Sequence, residues 1–376
     1  MKKQLNIGLI GHGFMGKAHS HAYHDLEMFF DTQSAVVRHT LCGVGGGLED
    51  AAKRYGFPRI TSDWREVVEN PEIDIIDICT PDSSHRDIAM AAAAANKHVI
   101  CEKPLALDAR QAKEMLEAVK RSGVKHMCNF VYRGVPAIRL AKTLLDEKRL
   151  GKVYAFKAQY LQDFSLSPQF PFVWRMDHTV AGAGILADKG AHLIDQARYL
   201  VGEIASLTAM SSVFIPERID PYAGTPKKVT SGDSAAFLAQ FENGAMGVFE
   251  MSNMAAGHKN SLLLEINCEK GSITFDLERL NELRVYSGDG SAAESGFKTI
   301  LATEPGHAFI SHWWPSGHVL GWEHAFTHQI HDLITAIEQD TEPPSNFYDG
   351  WRCQQAVDAA ALSEKQRDWI TIKEKG

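Results

Sequence analysis

At 376 residues the chain exceeds what one hydrophobic core usually serves, so two domains are expected. With 44% hydrophobic and 23% charged residues and no apolar run long enough to span a bilayer, it reads as an ordinary globular protein with no membrane partner. The net charge of −8, with no basic stripe interleaved with aromatics, argues against a nucleic-acid partner.

Taken in order, Met1-Lys-Lys resembles the start of a secretion signal, but the apolar stretch behind it is too short and is cut by Gly8 and Gly11. It reads instead as a strand running into Gly11-x-Gly13-x-x-Gly16, with a helix expected at about 17–30. Gly11 permits the tight turn, Gly13 lets backbone N–H groups approach a pyrophosphate, and Gly16 lets the helix sit close on the sheet. With Phe14 and Met15 between them, these residues are candidates for a dinucleotide cradle at a helix N-terminus. The plain alternative is a strand-to-helix turn without a ligand.

A second strand is expected at 36–42. For NAD it should end near an acid that takes the ribose hydroxyls, yet Gly43-Val44-Gly45-Gly46-Gly47 stands there, and Glu49 and Asp50 read as the first turn of the next helix. Neither Arg38 nor Arg54 is placed to clamp a 2′-phosphate. NAD is therefore the expected cofactor, with NADP possible and discrimination weak, and an Asp at Gly43 is expected to shift preference towards NAD.

Residues 73–79 form a buried strand stopped by Thr80-Pro81, after which Ser83 and Ser84 are expected to cap a helix reaching 91–95. A strand at 98–101 leads into Glu102-Lys103-Pro104, Asp108 is expected to cap a helix to Ser122, and 124–128 closes the series. Strands alternating with helices imply a doubly wound parallel sheet, a Rossmann domain over 1–128, with ligands at the carboxyl ends of its strands. Thr80, Pro81, His85, Glu102 and Lys103 are the cofactor candidates there.

Past 129 the rhythm changes. Strands are expected at 153–161, 204–214, 234–241, 245–251, 261–268 and 271–276, with a loop at 216–233, a hairpin turn at 242–244 and helices at 323–339 and 348–367. Residues 129–376 thus form an α+β domain on a largely antiparallel sheet, and the whole is α/β in class. None of the six cysteines is spaced as C-x-x-C, so a reducing cytoplasm and no metal are expected.

Residues 182–199 open on glycines and continue as a helix. At about 100° per residue, Asp188, His192, Asp195 and Tyr199 share one stripe while Leu193, Ile194, Ala197 and Leu200 occupy another. Gly190 inside a helix marks a place where something approaches closely. Spacing alone leaves three readings open: a solvated pair at i, i+4, a metal site, or a catalytic stripe.

With this helix, the glycine fingerprint and Glu102-Lys103-Pro104 together, the chain resembles the glucose-fructose oxidoreductase / inositol dehydrogenase / MocA family from end to end. Tyr160-Leu-Gln-Asp163, Phe172-Val-Trp174-Arg175 and Trp313-Trp-Pro-Ser-Gly-His318 are most similar to its levoglucosan dehydrogenase-like branch. The resemblance implies an NAD(P)-dependent dehydrogenase oxidising a secondary hydroxyl of a sugar, anhydrosugar or cyclitol. His192 would be the base, Asp188 its orienting partner, and Lys103 the donor to the reacting oxygen. It further implies a pocket in which Phe164, Phe172, Trp174 and Trp314 face the ring, while Asn129, Tyr132, Gln162, Asp163, Arg175, His307 and His318 read hydroxyls. A homo-oligomer, dimer or tetramer, follows by the same analogy. Two rivals stay open, a glycosidase of the family that oxidises its sugar transiently, and a non-catalytic dinucleotide- or sugar-binding regulator.

Overall fold

The computed structural model describes residues 2–288 and 291–373. The chain divides into two compact units, Met1–Gly134 with Gly321–Arg352, and Val135–Leu320 with Cys353–Gly376. The expected boundary at 128 falls inside the first of these units. Residues 129–134 and the returning segment 321–352 belong with the first unit, because their buried faces pack there: Trp322 and Phe326 against Phe14 and His19, and Ser345 on the carbonyl of Cys128 at 2.5 Å.

In the first unit, β1 (Gln4–Ile10), β2 (Ala35–Cys42), β3 (Arg59–Thr61), β4 (Ile75–Ile78), β5 (His98–Glu102) and β6 (His126–Asn129) pair in the order β3-β2-β1-β4-β5-β6. Every pair is parallel. Helices α1 (Phe14–Phe29), α2 (Leu48–Tyr55), α3 (Trp64–Glu69), α4 (His85–Ala94) and α5 (Ala109–Ser122) alternate with the strands. Central strands covered on both faces read as continuous apolar runs, as Ile75, Ile76 and Ile78 of β4 do. The strand order reverses between β1 and β4, the place where an open parallel sheet offers a ligand crevice. Asp108 caps α5 as expected, accepting from the Gln111 N–H at 2.7 Å. Ser84 does not cap α4, because its hydroxyl turns back onto Thr80 Oγ1 and the Pro81 carbonyl. β3 and α3, too short to show periodicity, were not expected.

The second unit holds α6 (Pro136–Asp146), β7 (Val153–Leu161), α7 (His178–Ala181), a single π-type turn (Leu186–Gly190), α8 (Ala191–Leu200) and β8 (Ile204–Ser212). The expected loop at 216–233 contains a small antiparallel ribbon, β9 (Glu217–Ile219) and β10 (Pro226–Lys228). Then come β11 (Ser234–Phe241), β12 (Met246–Ser252), β13 (Ser261–Cys268), β14 (Gly271–Asp276), β15 (Glu282–Ser287) and β16 (Lys298–Leu301). Helices α9 (His324–Gln339) and α10 (Phe347–Gln366) and the short β17 (Ile370–Thr371) end the chain, α9 belonging to the first unit and the unit division falling inside α10.

Nine strands form one sheet in the order β16-β15-β14-β13-β7-β12-β11-β8-β17, antiparallel except for β12 beside β7. Alternation decides its faces: Phe237 of β11 and Phe249 of β12 sit opposite each other and stack inward at 4.1 Å, while Leu238, Met246 and Val248 point out. The hairpin at 242–244 is as expected, Asn243 Oδ1 accepting from the Ala245 N–H. No helix among the described residues is long and apolar enough to cross a membrane, and all six cysteines are free thiols.

Candidate active site

The three fingerprint glycines play three different roles. Gly11 has φ of +110°, and a Cβ on it would lie 2.4 Å from the Cys79 carbonyl oxygen, so the ends of β1 and β4 meet there. A Cβ on Gly16 would lie 1.9 Å from the Gly11 carbonyl oxygen, which presses α1 against the turn. Beside Gly13 there is open space within 4 Å. The first N–H groups of α1, from Phe14 and Met15 onward, have no intrahelical partner and face that side. A tight turn alone needs no such opening, so the cradle fits the pyrophosphate of a dinucleotide. Phe14 is exposed and stacks on Trp322 at 5.5 Å, a neighbour the fingerprint itself could not announce.

β2 ends at Cys42 as expected, and no acid follows it. What the sequence does not show is that His12 covers the glycine loop: a Cβ on Gly43 would lie 2.1 Å from His12 Nδ1, and His12 Nε2 is 3.3 Å from the Gly46 carbonyl. An Asp at Gly43 must therefore displace the imidazole, which corrects the expectation that this one substitution would tune cofactor choice.

At the ends of β4 and β5 the expected ligand residues divide into exposed and structural ones. Pro81 is exposed and Thr80 and Lys103 are half-buried, whereas His85 is buried with its ring nitrogens on the carbonyls of Pro104 (3.0 Å) and Thr80 (2.9 Å). His85 thus ties the two loops together instead of facing a cofactor. Glu102 is also buried. Its Oε1 is 2.9 Å from His19 Nε2 and accepts from Asn129 Nδ2 at 2.6 Å, while Oε2 accepts from the Lys103 N–H at 3.2 Å. Asn129 and the buried Tyr132 belong to this first unit, and the Asn129 amide nitrogen is spent on Glu102.

Burial favours a neutral Glu102, but the hydrogen bond and charge of His19 and the Asn129 amide bring its pKa below the usual value. On the other side of His19, Nδ1 is 2.8 Å from Asp77 Oδ2. Sequence reasoning missed this cluster, although one signal existed: Asp77 interrupts an isoleucine run, and a buried carboxylate is almost never unpaired. Ligand atoms of His19, Asp77 and Cys79 lie within 4.8 Å of one another, as a metal would require. Yet Nδ1 and Oδ2 in direct contact at 2.8 Å leave no room for an ion, whose tetrahedral ligands stand about 3.3 Å apart.

In the second unit the helix expected to open on glycines runs from residue 185 to Leu200, with a π turn inside it. Gly184, at φ of +58°, separates α7 from the π turn that carries Asp188, and α8 then carries His192, Asp195 and Tyr199. The stripe is not a solvated one: His192 and Asp195 are buried. What approaches Gly190 is the Met251 sulfur of β12, 3.1 Å from where its Cβ would be. π turns recur where a functional side chain must be re-aimed. Asp188 lies 3.6 Å from Arg175 Nε, and the Arg175 guanidinium lies over the Trp174 ring at 4.3 Å. The His192 ring meets the edge of Tyr160 at 5.8 Å. Phe164, Val173, Arg175, Asp188, Ser231 and Asn253 line a small hollow in this unit.

Other expected pocket residues have different employment. Gln162 accepts from Lys189 Nζ and donates to Asn260 at 2.9 Å. Lys189 was not anticipated. It is 2% exposed, with its ammonium 5.2 Å from the ring centres of both Tyr160 and Phe164. Asp163 accepts from Lys259 at 2.7 Å, and that bond lowers its pKa. Phe172 is core, packed with Met176 and Val229. Trp314 is half exposed, and in that loop His318 Nδ1 is 2.7 Å from the Pro315 carbonyl while His307 Nδ1 accepts from the Glu304 N–H.

Residues 5–130 match the oxidoreductase family with an NAD-binding Rossmann fold, and residues 138–274 match the GFO/IDH/MocA C-terminal domain. Levoglucosan dehydrogenase of Pseudarthrobacter phenanthrenivorans is 39% identical over 98% of each chain. An oxidoreductase domain protein from Kribbella flavida superposes with a TM-score of 0.96 at 42% identity over the full length of both. A levoglucosan dehydrogenase solved with NADH and L-sorbose superposes with a TM-score of 0.95 at 39% identity over 99% of each.

The geometry at β2 makes one prediction. Gly43→Asp alone should weaken both NAD and NADP by displacing His12, whereas the double variant His12→Ala/Gly43→Asp should raise the NAD-over-NADP ratio of kcat/KM by about tenfold or more, through repulsion of the 2′-phosphate. An unchanged ratio in the double variant means that cofactor choice is made elsewhere.

Proposed function

Since the chain belongs to the Gfo/Idh/MocA family and is an NAD-dependent dehydrogenase acting on sugar-type hydroxyls, we propose that its substrate is a pyranose, anhydrosugar or cyclitol, oxidised at a secondary hydroxyl, with levoglucosan the first compound to try. End-to-end likeness to a levoglucosan dehydrogenase carries this reading. It is supported by the Asp188 carboxylate in a small hollow, one turn before a buried imidazole.

The roles we assign follow from chemistry. When bound, the nicotinamide accepts the hydride that leaves the carbinol carbon. Gly13 and the first turn of α1 would hold the pyrophosphate of that cofactor. His192 takes the hydroxyl proton, a task for which an imidazole is suited near neutral pH. Asp188, restrained by Arg175, orients His192 or shares the substrate hydroxyl. Lys103 donates to the reacting oxygen and stabilises negative charge as it develops there. Arg175 and Trp174, stacked together, offer a flat polar edge to a sugar ring.

We also propose a homo-oligomer, dimer or tetramer, formed through the outer face of the nine-stranded sheet. That face carries an open trough lined by Lys157, Gln159, Val248, Glu250, Leu263 and Arg284, with Leu238 and Met246 exposed beside it. Apolar side chains exposed on a broad sheet are the usual mark of a covered surface.

Four measurements test these assignments. A screen of levoglucosan, pyranoses and cyclitols with NAD should give net reduced nicotinamide. Release of an aglycone without it would point to the glycosidase, and no turnover at all to a regulator. In the active reaction His192→Ala should lower kcat by about two to four orders of magnitude with NADH binding retained, and Lys103→Ala should lower kcat with the fold intact; normal turnover in either removes that residue from the mechanism. Activity should survive exhaustive chelation, because charge stabilisation is assigned to Lys103, and a loss restored by a divalent metal would reverse that assignment. Light scattering should show more than one copy per particle, with Val248→Lys lowering the order; a wild-type monomer would end the sheet-face proposal.

A further inference from the structure

Two buried carboxylates in one sheet need an explanation. Asp77 of β4 is 0% exposed among isoleucines, and Glu102 of β5 is 5% exposed at the end of the neighbouring strand. His19 of α1, itself 0% exposed, lies between them, Nδ1 at 2.8 Å from Asp77 Oδ2 and Nε2 at 2.9 Å from Glu102 Oε1. A neutral imidazole has one N–H and could serve only one carboxylate, leaving a lone pair aimed at the other. Only the doubly protonated ring donates to both acids at once.

We propose that His19 is a positioning residue, an imidazolium locked between Asp77 and Glu102 that keeps Glu102 ionised and fixed against the Lys103 backbone N–H. The proposal rests on the reading of Lys103 given above. The donors around the two carboxylates agree with it, with Asn129 Nδ2, 2.9 Å from His19 Nε2, turning its N–H to Glu102 at 2.6 Å instead of to the ring. Tyr23 donates its hydroxyl to Asp77 Oδ2 at 2.8 Å, the Cys79 thiol donates to Asp77 Oδ1 at 3.4 Å, and Asn129 Nδ2 converges on Glu102 Oε1 beside His19 Nε2. The remaining neighbour, the Phe326 ring at 5.5 Å, is uncharged. Glu102 has both oxygens engaged, Oε1 towards His19 and Asn129 and Oε2 by Lys103 N–H, and it therefore sets where the Lys103 backbone lies.

The electrostatics run the same way. Burial works to deprotonate His19, but the charge and hydrogen bond of Asp77 outweigh it and hold the pKa well above the usual value. A raised value means that the contribution of the His19 proton to stability is fully present below about pH 6.5 and is lost as pH rises through the folded value. Glu102 has the opposite sign: its contribution is present above the usual carboxylate value and is lost as pH falls through its lowered one. Between those limits the cluster has one protonation state, so kcat should show no acid limb from Glu102 around neutrality.

The test uses the holoprotein with NAD and levoglucosan. His19→Gln should lower kcat by roughly a hundredfold, the scale of a small misplacement of a reacting group, with the NADH Kd changed by no more than about threefold. It should also create an acid limb in kcat, because Glu102 loses its cation and burial then lifts its pKa. Adding Glu102→Gln should remove that limb without restoring kcat. Glu102→Gln alone, which keeps the shape but replaces one accepting oxygen by a donor, should lower kcat without a limb, and it decides the matter if His19→Gln does not fold. In the wild type with NADH bound, nitrogen-15 NMR should show one imidazolium that does not titrate between pH 6 and 8 and that shifts in Glu102→Gln. Wild-type kcat and pH profile in both variants, a loss confined to the KM for NAD, or a neutral imidazole at His19 would each overturn the proposal. If no sugar or cyclitol is turned over by the wild type, the proposed function fails while the nitrogen shifts still decide the state of His19.

Discussion

One close approach organises the first unit: the Gly11 carbonyl occupies the space that any side chain on Gly16 would need. Because of it α1 begins directly against the turn that ends β1, and its unpaired N–H groups are aimed past the open side of Gly13. The same turn is closed from behind by the Cys79 carbonyl at the end of β4. Since β1 and β4 are the strands between which the order reverses, one backbone contact sets both the crevice and the electrostatic sign of its floor. A side chain at either position would move the helix off the sheet before it touched any ligand.

Around that crevice the molecule repeatedly uses buried polar side chains to tie loops together. His85 joins the loops after β4 and β5 through the Thr80 and Pro104 carbonyls, and His19 joins the ends of those strands through their carboxylates. The second unit does the same with cations. Lys189 is buried on Gln162 between two aromatic rings, and Arg218 of the small ribbon donates to the carbonyls of Ser165, Ser167 and Phe170. Removing one member of such a group leaves its partner desolvated and unpaired, which costs more than the bond itself contributes. The loop bearing Lys103 is thus held by buried groups on its own neighbours, His85 on the Pro104 carbonyl and Glu102 on the Lys103 N–H.

The two units differ in how each presents its polar groups. In the first, backbone geometry presents N–H groups and side chains stand behind them. In the second, a π turn re-aims Asp188 while α8 carries a buried His192 next to Tyr160. At Gly190 the Met251 sulfur comes within 3.1 Å of where a Cβ would stand, a tight fit against this turn.

What the sequence by itself determined were the features written in neighbouring residues. The apolar run ending in Gly11-x-Gly13-x-x-Gly16, the alternation of strands and helices to residue 128, the Asp108 cap, the hairpin at 242–244 and the missing acid after β2 all depend on contacts a few residues apart, so periodicity and turn chemistry sufficed. Tertiary structure alone decided which polar residues meet. His19 finds its two carboxylates 58 and 83 residues away, and Gln162 is claimed by Lys189 and Asn260 instead of standing open to a substrate. His12 fills the space beside Gly43, and residues 321–352 return to the first unit. Hydrophobic spacing says that a side chain faces inward, but not what it will meet there. That partner is chosen by the packing of elements far apart in the chain, and for a buried charge the choice is compulsory because an unpaired one is too costly to keep.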